Sequence, residues 1–403
     1  MPSARPWGDP QSQPAPFSGS LSCDVVIIGS GITGTLIAYF LTQEGFSVAM
    51  FDDDWGGSAT MLTTAFLIET IDTSTTELIS LYGQEKAALV LESHRRAIDA
   101  YQELITNEHI ECDFMRVPFY LYANTGSETK EVEEEKSALR ELGVDTTDTP
   151  IPLPHAACIE LPHQAKFQPL SFTRHLQEKA ERQGARFYSS HIELSEDGTL
   201  SAHGGAIEAK HVVMATHYPD AQPARLFFKK ARYMTFVIEY FIPKGSLPEG
   251  LYEDTEVPYH YLRVDAHGDD MRVLIGGEDR RADIKIPIEK HFEALQTYAH
   301  QILPRITRKG MQWYGPIIES GDGLAFIGQI KEDGPFYVTG HSGNGMTHAM
   351  IAAQIYIDQL QGRLNPYAEL YAANRPVHIR PHMQKAVEYI EEFAGGALED
   401  LFE

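Results

Sequence analysis

The run Asp24-Val25-Val26-Ile27-Ile28-Gly29-Ser30-Gly31-Ile32-Thr33-Gly34 constrains the fold more than any other stretch of the chain. Its apolar, β-branched start is the pattern of a strand buried on both faces of a parallel sheet, and the glycines lead straight into a helical pattern. In such a unit Gly29 permits the tight turn, Gly31 lets a pyrophosphate approach the backbone, and Gly34 lets the helix pack close to the strand. The first N–H groups of the helix, and its dipole, then favour phosphate. A second strand pattern, Ser47-Val48-Ala49-Met50-Phe51, ends in Asp52, placed to bind a ribose 2′-OH. A chance glycine-rich turn would lack that second strand and its acid. The chain reads as a dinucleotide-binding α/β protein.

Its 403 residues suffice for two domains with ample cores. With 33 Lys plus Arg against 57 Asp plus Glu, the formal charge is −24, which argues against nucleic acid or an anionic membrane as partner. Cys23, Cys112 and Cys158 are widely spaced, form no metal-binding pattern and cannot all pair within one chain, so a reducing cytoplasm fits best. No run reaches the length of a membrane helix, and the N-terminus lacks the order of a signal peptide. Residues 1–20, rich in Pro, Ser and Gly, read as a flexible arm lying along the surface, with Trp7 as an anchor.

Further along, residues 53–66 form a small-residue, hydroxyl-rich loop suited to passing beneath a planar cofactor. Helical periodicity covers 77–107, strand alternation 112–122, and a charged helix 127–142. A Pro-rich link over 150–162 precedes another amphipathic helix at 171–183. The apolar run His211–Ala215 returns to the parallel sheet. Long alternating strands at 233–242, 259–264 and 271–276, a helix at 288–303 and a strand at 311–318 then predict an inserted antiparallel domain. The expected division is an arm (1–20), a discontinuous cofactor domain (21–110, 151–230 and 316–375), a substrate or cap domain (111–150 and 231–315) and a C-terminal helix (376–403). Asn344 is the N-cap candidate of a helix running from Met346 to Leu360.

Taken together, the glycine motif, Ala215-Thr216-His217, Asp322-Gly323, Ile327-Gly328 and Ser342-Gly343-Asn344-Gly345-Met346-Thr347 resemble the FAD-dependent oxidases of the D-amino-acid oxidase and glycine oxidase superfamily. Tyr259-His260-Tyr261-Leu262-Arg263 and Gly276-Gly277-Glu278-Asp279 place it nearest the branch often fused to a Rieske domain. The chain departs from that branch at Met61-Leu62 and Phe66, where a Gly-His pair and a Lys are usual, and at Arg280, where His is usual; no Rieske segment is recognised. The resemblance implies FAD as cofactor. Its candidate contacts are Gly29, Gly31, Ile32, Thr33, Gly34, Asp52, Asp53, Ser58, Thr60, Thr63, Thr64, Ile192, Ala215, Thr216, Gly343, Asn344, Gly345 and Met346. It also implies a Rossmann-like domain with an inserted antiparallel sheet, and oxidation of a primary or secondary amine, including amino acids, to an imine. The electrons would pass to O2 or to a separate carrier. An inactive flavin-binding scaffold is the alternative outside enzymes.

Three side chains are candidates for the chemistry. Strand alternation puts Tyr259, Tyr261 and Arg263 on one face. There an Arg fork can grip a carboxylate while a Tyr adds a hydrogen bond, an exposed sheet Arg being the equal alternative. His341, before the Gly343–Met346 turn, either lies over the flavin or bonds within the turn. No metal-ligating set is present in the pattern.

Overall fold

A computed structural model describes residues 5–9, 12–55, 59–195, 198–218, 223–227, 229–282, 286–303 and 305–377. Two sheets organise them. In the first, strands Phe326–Gln329, Phe336–Thr339, Gly205–His217, Leu21–Ile28, Val48–Asp52 and Arg186–Ser189 lie side by side, parallel except for the first pair. Val25 and Ile27 face one way, into a helical layer that includes Ile37, Leu41, Leu176, Ala180, Met350 and Ala353. Val26 faces the other way, against Phe17, Phe51, Ile192 and Leu200. The unbroken apolar run is thus explained by burial on both sides.

The second sheet has the order Arg308–Ser320, Lys230–Pro243, Asp270–Arg281, His260–His267, Gly250–Asp254, Met115–Ala123, Ala157–Lys166 and Phe66–Leu67. All its neighbours are antiparallel except Gly250–Asp254 with Met115–Ala123. Helix Ile288–Ile302 covers it through Phe292, Leu295 and Ala299, against Phe236, Ile238 and Tyr240. Two expected boundaries are corrected. Residues 157–166 are not a link but a full strand paired with Met115–Ala123, and Phe66–Leu67 joins them, so both belong to the antiparallel sheet. Proline-rich flanks masked an alternating run whose partner lies far away in sequence.

The N-terminal arm is docked over its described residues. Phe17 stands edge-on to Phe51 and Tyr188, and Trp7 is 7% exposed. Aromatic burial outweighs the disorder that the composition favours. The expected helix over 376–403 lies outside the described residues from 378 on. Asp322, part of the recognised pattern, is held by a two-pronged Arg375 contact at 2.7 and 2.9 Å, a structural clamp between two segments of the first sheet's domain.

Candidate active site

A cavity of about 840 Å³ runs from the glycine turn, along the first sheet's carboxyl ends, to the face of the second sheet. At its first end Gly29 has a φ of +112°, and a Cβ there would lie 2.5 Å from the Ala215 carbonyl oxygen. A Cβ at Gly34 would lie 2.0 Å from the Gly29 oxygen, so no larger residue fits without moving the turn. Asp52 Oδ2 accepts from the Ser30 N–H and hydroxyl at 2.7 Å each, fixing the acid at the strand end. Helix Ile32–Gln43 has no side-chain cap; Ile32 N–H donates to Thr60 Oγ1 at 3.0 Å. Its remaining first-turn donors are those a helix normally offers to solvent or an anion.

Helix Gly345–Leu360 begins at the middle of the cavity. Asn344 occupies its N-cap position, but the side chain caps nothing. Its Oδ1 accepts from Asp72 N–H (3.1 Å) and its Nδ2 donates to Thr70 O (3.3 Å), while Gly343 N–H donates to Asp72 Oδ2 at 2.7 Å. Asn344 therefore ties a loop down instead of capping a helix. His341 is 5% exposed, lines the cavity, and its Nδ1 has no protein partner among the described residues. Burial, then the nearby His348 and His217, hold its imidazole neutral, well below the ordinary range.

The far end combines Thr235, Glu253, Tyr261, Phe66 and Asp72. Tyr261 OH meets Thr235 Oγ1 at 3.2 Å, and its ring stands edge-on to Phe66 at 5.7 Å. Burial, then the charges of Asp72 and Asp254, hold the Glu253 carboxyl well above the usual carboxylate range. Behind the Tyr259 hydroxyl, which donates to it at 3.0 Å, Asp279 is pushed up to about 6 by burial, with Asp72 and Glu278 adding to the shift. The one Lys or Arg among the described lining residues is Arg232, whose guanidinium lies 4.9 Å over the Tyr218 ring.

Most candidate contacts reach this cavity: Gly29, Gly31, Ile32, Thr33, Asp52, Asp53, Thr60, Thr63, Thr64, Ile192, Ala215, Thr216, Gly343, Asn344, Gly345, Met346, Tyr261 and His341 all line it. Gly34 acts from behind, through packing, and Ser58 lies outside the described residues. Arg263 is a correction. It shares Tyr261's face, but the loop at Thr64–Ala65 lies between it and the cavity. Its Nε bonds both Asp265 oxygens at 3.0 Å, and its Nη1 donates to Thr64 O and Phe167 O at 2.9 Å. With 3% exposure, its Nε and Nη1 are taken up by the protein. Asp72, Glu253, Thr235 and Arg232 were not foreseen. Nothing in the sequence singled them out: Glu253 sits in the acidic stretch Glu253-Asp254-Thr255-Glu256.

Comparison with known proteins agrees with this architecture. The chain is 28% identical over 385 residues to a Rieske 2Fe-2S iron–sulfur protein, YhfW, of Bacillus subtilis (strain 168), covering 92% of this chain and 75% of that protein. Glycine oxidase from Geobacillus kaustophilus superposes with a TM-score of 0.74 at 20% identity, covering 89% of this chain and all (100%) of that one. L-proline dehydrogenase from P. horikoshii gives 0.70 at 18%, covering 89% and 98%. The family model for DAO, FAD dependent oxidoreductase, matches residues 24–359, most of the chain. This protein belongs to the DAO family of FAD-dependent oxidoreductases.

Proposed function

We propose that the protein oxidises an amine that enters as an ammonium ion, and that the far end of the cavity recognises it by negative charge. FAD fits the residues present: the uncapped helix start and Asp52 suit its ADP half. The turn His341–Gly345, which lines the cavity at the start of helix Gly345–Leu360, suits the polar edge of its ring system. When bound, FAD supplies hydride acceptance from the carbon bearing the amine. The chain's own residues do the rest. Tyr261 and Phe66 wall the substrate, and Glu253 and Asp72 draw its cationic nitrogen. A Glu253 carboxylate takes one ammonium proton so that the neutral amine can release hydride, and His341, held neutral, adds no cation to that of Arg232.

The observation that carries this reading is the crowding of Asp72, Glu253 and Asp279. Asp72 and Asp279 raise the proton affinity of Glu253, and Asp72 raises that of Asp279, as like charges in one site do, and a bound cation relieves that cost. A second reading, an amino acid held by its carboxylate, is favoured by Arg232 alone.

The test is a panel of amines and amino acids added anaerobically to the FAD-loaded protein, with bleaching of flavin absorbance as readout, followed by air. Bleaching by amines without a carboxylate supports the first reading, and bleaching by amino acids alone supports the second. No bleaching by any member overturns both and leaves a flavin-binding scaffold. Recovery of colour in air identifies O2 as an acceptor; persistence of the bleached state identifies a separate carrier.

A further inference from the structure

The loop that carries Leu62, Thr63 and Thr64 past the cavity is gripped from its outer side at three successive carbonyls. Trp313 Nε1 donates to Leu62 O at 2.8 Å, Trp7 Nε1 to Thr63 O at 2.8 Å, and Arg263 Nη1 to Thr64 O at 2.9 Å. Trp313 and Arg263 sit on strands of the second sheet, so their positions are set by the sheet. Trp7 comes from the N-terminal arm and is held only by what it touches. Its ring lies 4.8 Å from the Arg263 guanidinium and 5.1 Å from that of Arg272. Arg272 also donates to Pro6 O at 3.1 Å, and Gln168 Nε2 donates to Trp7 O at 3.0 Å. Each arginine has its own acid, Asp265 and Glu239, so the indole meets two neutralised cations in a desolvated slot. A ring parked merely to cover apolar surface needs neither the slot nor the carbonyl.

We propose that Trp7 is a positioning residue for the cofactor: the docked arm fixes the Thr63 carbonyl outward and so holds the loop in the form that receives FAD. Arm docking and FAD binding are then reciprocally coupled, because whatever stabilises one stabilises the other by the same factor. The inference uses the cofactor end of the cavity and is independent of the substrate reading.

Two experiments decide it. In the unaltered protein, chymotrypsin cuts after Trp7 only when the arm leaves its slot. Cleavage there is expected to be slower with FAD bound than after FAD is stripped. In the second, FAD release is followed by the recovery of its fluorescence. Trp7→Ala is expected to speed release on the order of tenfold, as loss of a hydrogen bond and its ring contacts predicts. Trp7→Phe, which keeps a ring between the arginines and loses the N–H, is expected to fall between. Equal cleavage rates with and without FAD overturn the proposal. So does release from Trp7→Phe at the unaltered rate. If Trp7→Ala does not fold, these two measurements still decide.

Discussion

Glu253 and Asp254 are neighbours on one strand and face opposite ways, and the two acids live in opposite electrostatic regimes. Asp254, fully buried, accepts from Tyr298 OH at 2.6 Å, from His260 Nδ1 and Asn124 Nδ2 at 3.1 Å, and from the His260 N–H at 2.8 Å. The His260 ring stacks on Tyr298 at 3.6 Å, and its Nε2 faces Glu278. Glu253 turns into the cavity, where its charged neighbours are further acids. An acid that builds structure comes with its own cation and a full set of donors, because an unpaired buried charge is too costly to keep. Carboxyls crowded together around a cavity are arranged for something that arrives later. That contrast separates fold from site more sharply than depth of burial does.

Removing the compensated acid should therefore cost stability, and removing the cavity acid should cost binding. Asp254→Ala leaves His260 and Tyr298 without their acceptor, and should lower unfolding free energy by about 3–5 kcal/mol in urea melts. An intact midpoint would break the comparison at its structural end. The same network fixes a pH dependence. Burial opposes the charge on His260, but Asp254 and Glu278 overcome it and raise its pKa to about 9. The folded state thus holds the proton more tightly than the unfolded chain. The stability it contributes is complete below pH 6.5 and is lost as pH rises through about 9, on the order of 2–3 kcal/mol. Melts at pH 6 and pH 10 should differ by more in the unaltered protein than in His260→Gln. Next in size, Glu253→Gln should leave stability unchanged or higher while weakening amine binding by about 1.5–3 kcal/mol, the range of a charge-assisted hydrogen bond. Equal affinity in the variant would place the amine elsewhere.

The two ends of the cavity also differ in how far they could be read from sequence. The dinucleotide end is local: Gly29, Gly31, Gly34 and Asp52 belong to one strand–turn–helix–strand unit, so spacing alone locates them. The far end is assembled from Asp72, Thr235, Glu253 and Tyr261, which meet only because the antiparallel sheet has a particular strand order. Strand Gly250–Asp254 itself escaped the pattern, being short, with a glycine at its start and two adjacent acids at its end. Period two correctly gave Arg263 the face of Tyr261. It could not reveal that Thr64 would lie across that face, or that Asp265, two residues on, would hold the guanidinium. Asn344 was placed correctly at its helix start, yet its partners, Thr70 and Asp72, came from a loop far upstream. Alternation and capping rules describe one element at a time; partners across elements are a property of the tertiary fold.

The smallest effect expected is at Asp279, and it probes how far the acidic regime extends behind the cavity wall. Asp279 does not line the cavity among the described residues, and its Oδ2 accepts the Tyr259 hydroxyl at 3.0 Å, so it acts on a bound cation only through its field. Asp279→Asn should weaken amine binding by about 0.5–1 kcal/mol, roughly two- to fivefold, the scale of a charge that acts without contact. The pH profile is more diagnostic than the magnitude. In the unaltered protein Asp279 loses its proton near pH 6 and Glu253 well above the usual carboxylate range, so amine affinity should climb in two steps as pH rises. The two steps are coupled, since the Asp279 charge holds back the ionisation of Glu253. In Asp279→Asn the lower step should vanish. The upper one should move to lower pH, because Glu253 then ionises with one fewer negative neighbour. Calorimetric titrations of one amine from pH 5 upward would follow both steps. A profile unchanged by the substitution would confine the cation-attracting region to Glu253 and Asp72, and shrink the contrast with Asp254 to a single pair of side chains.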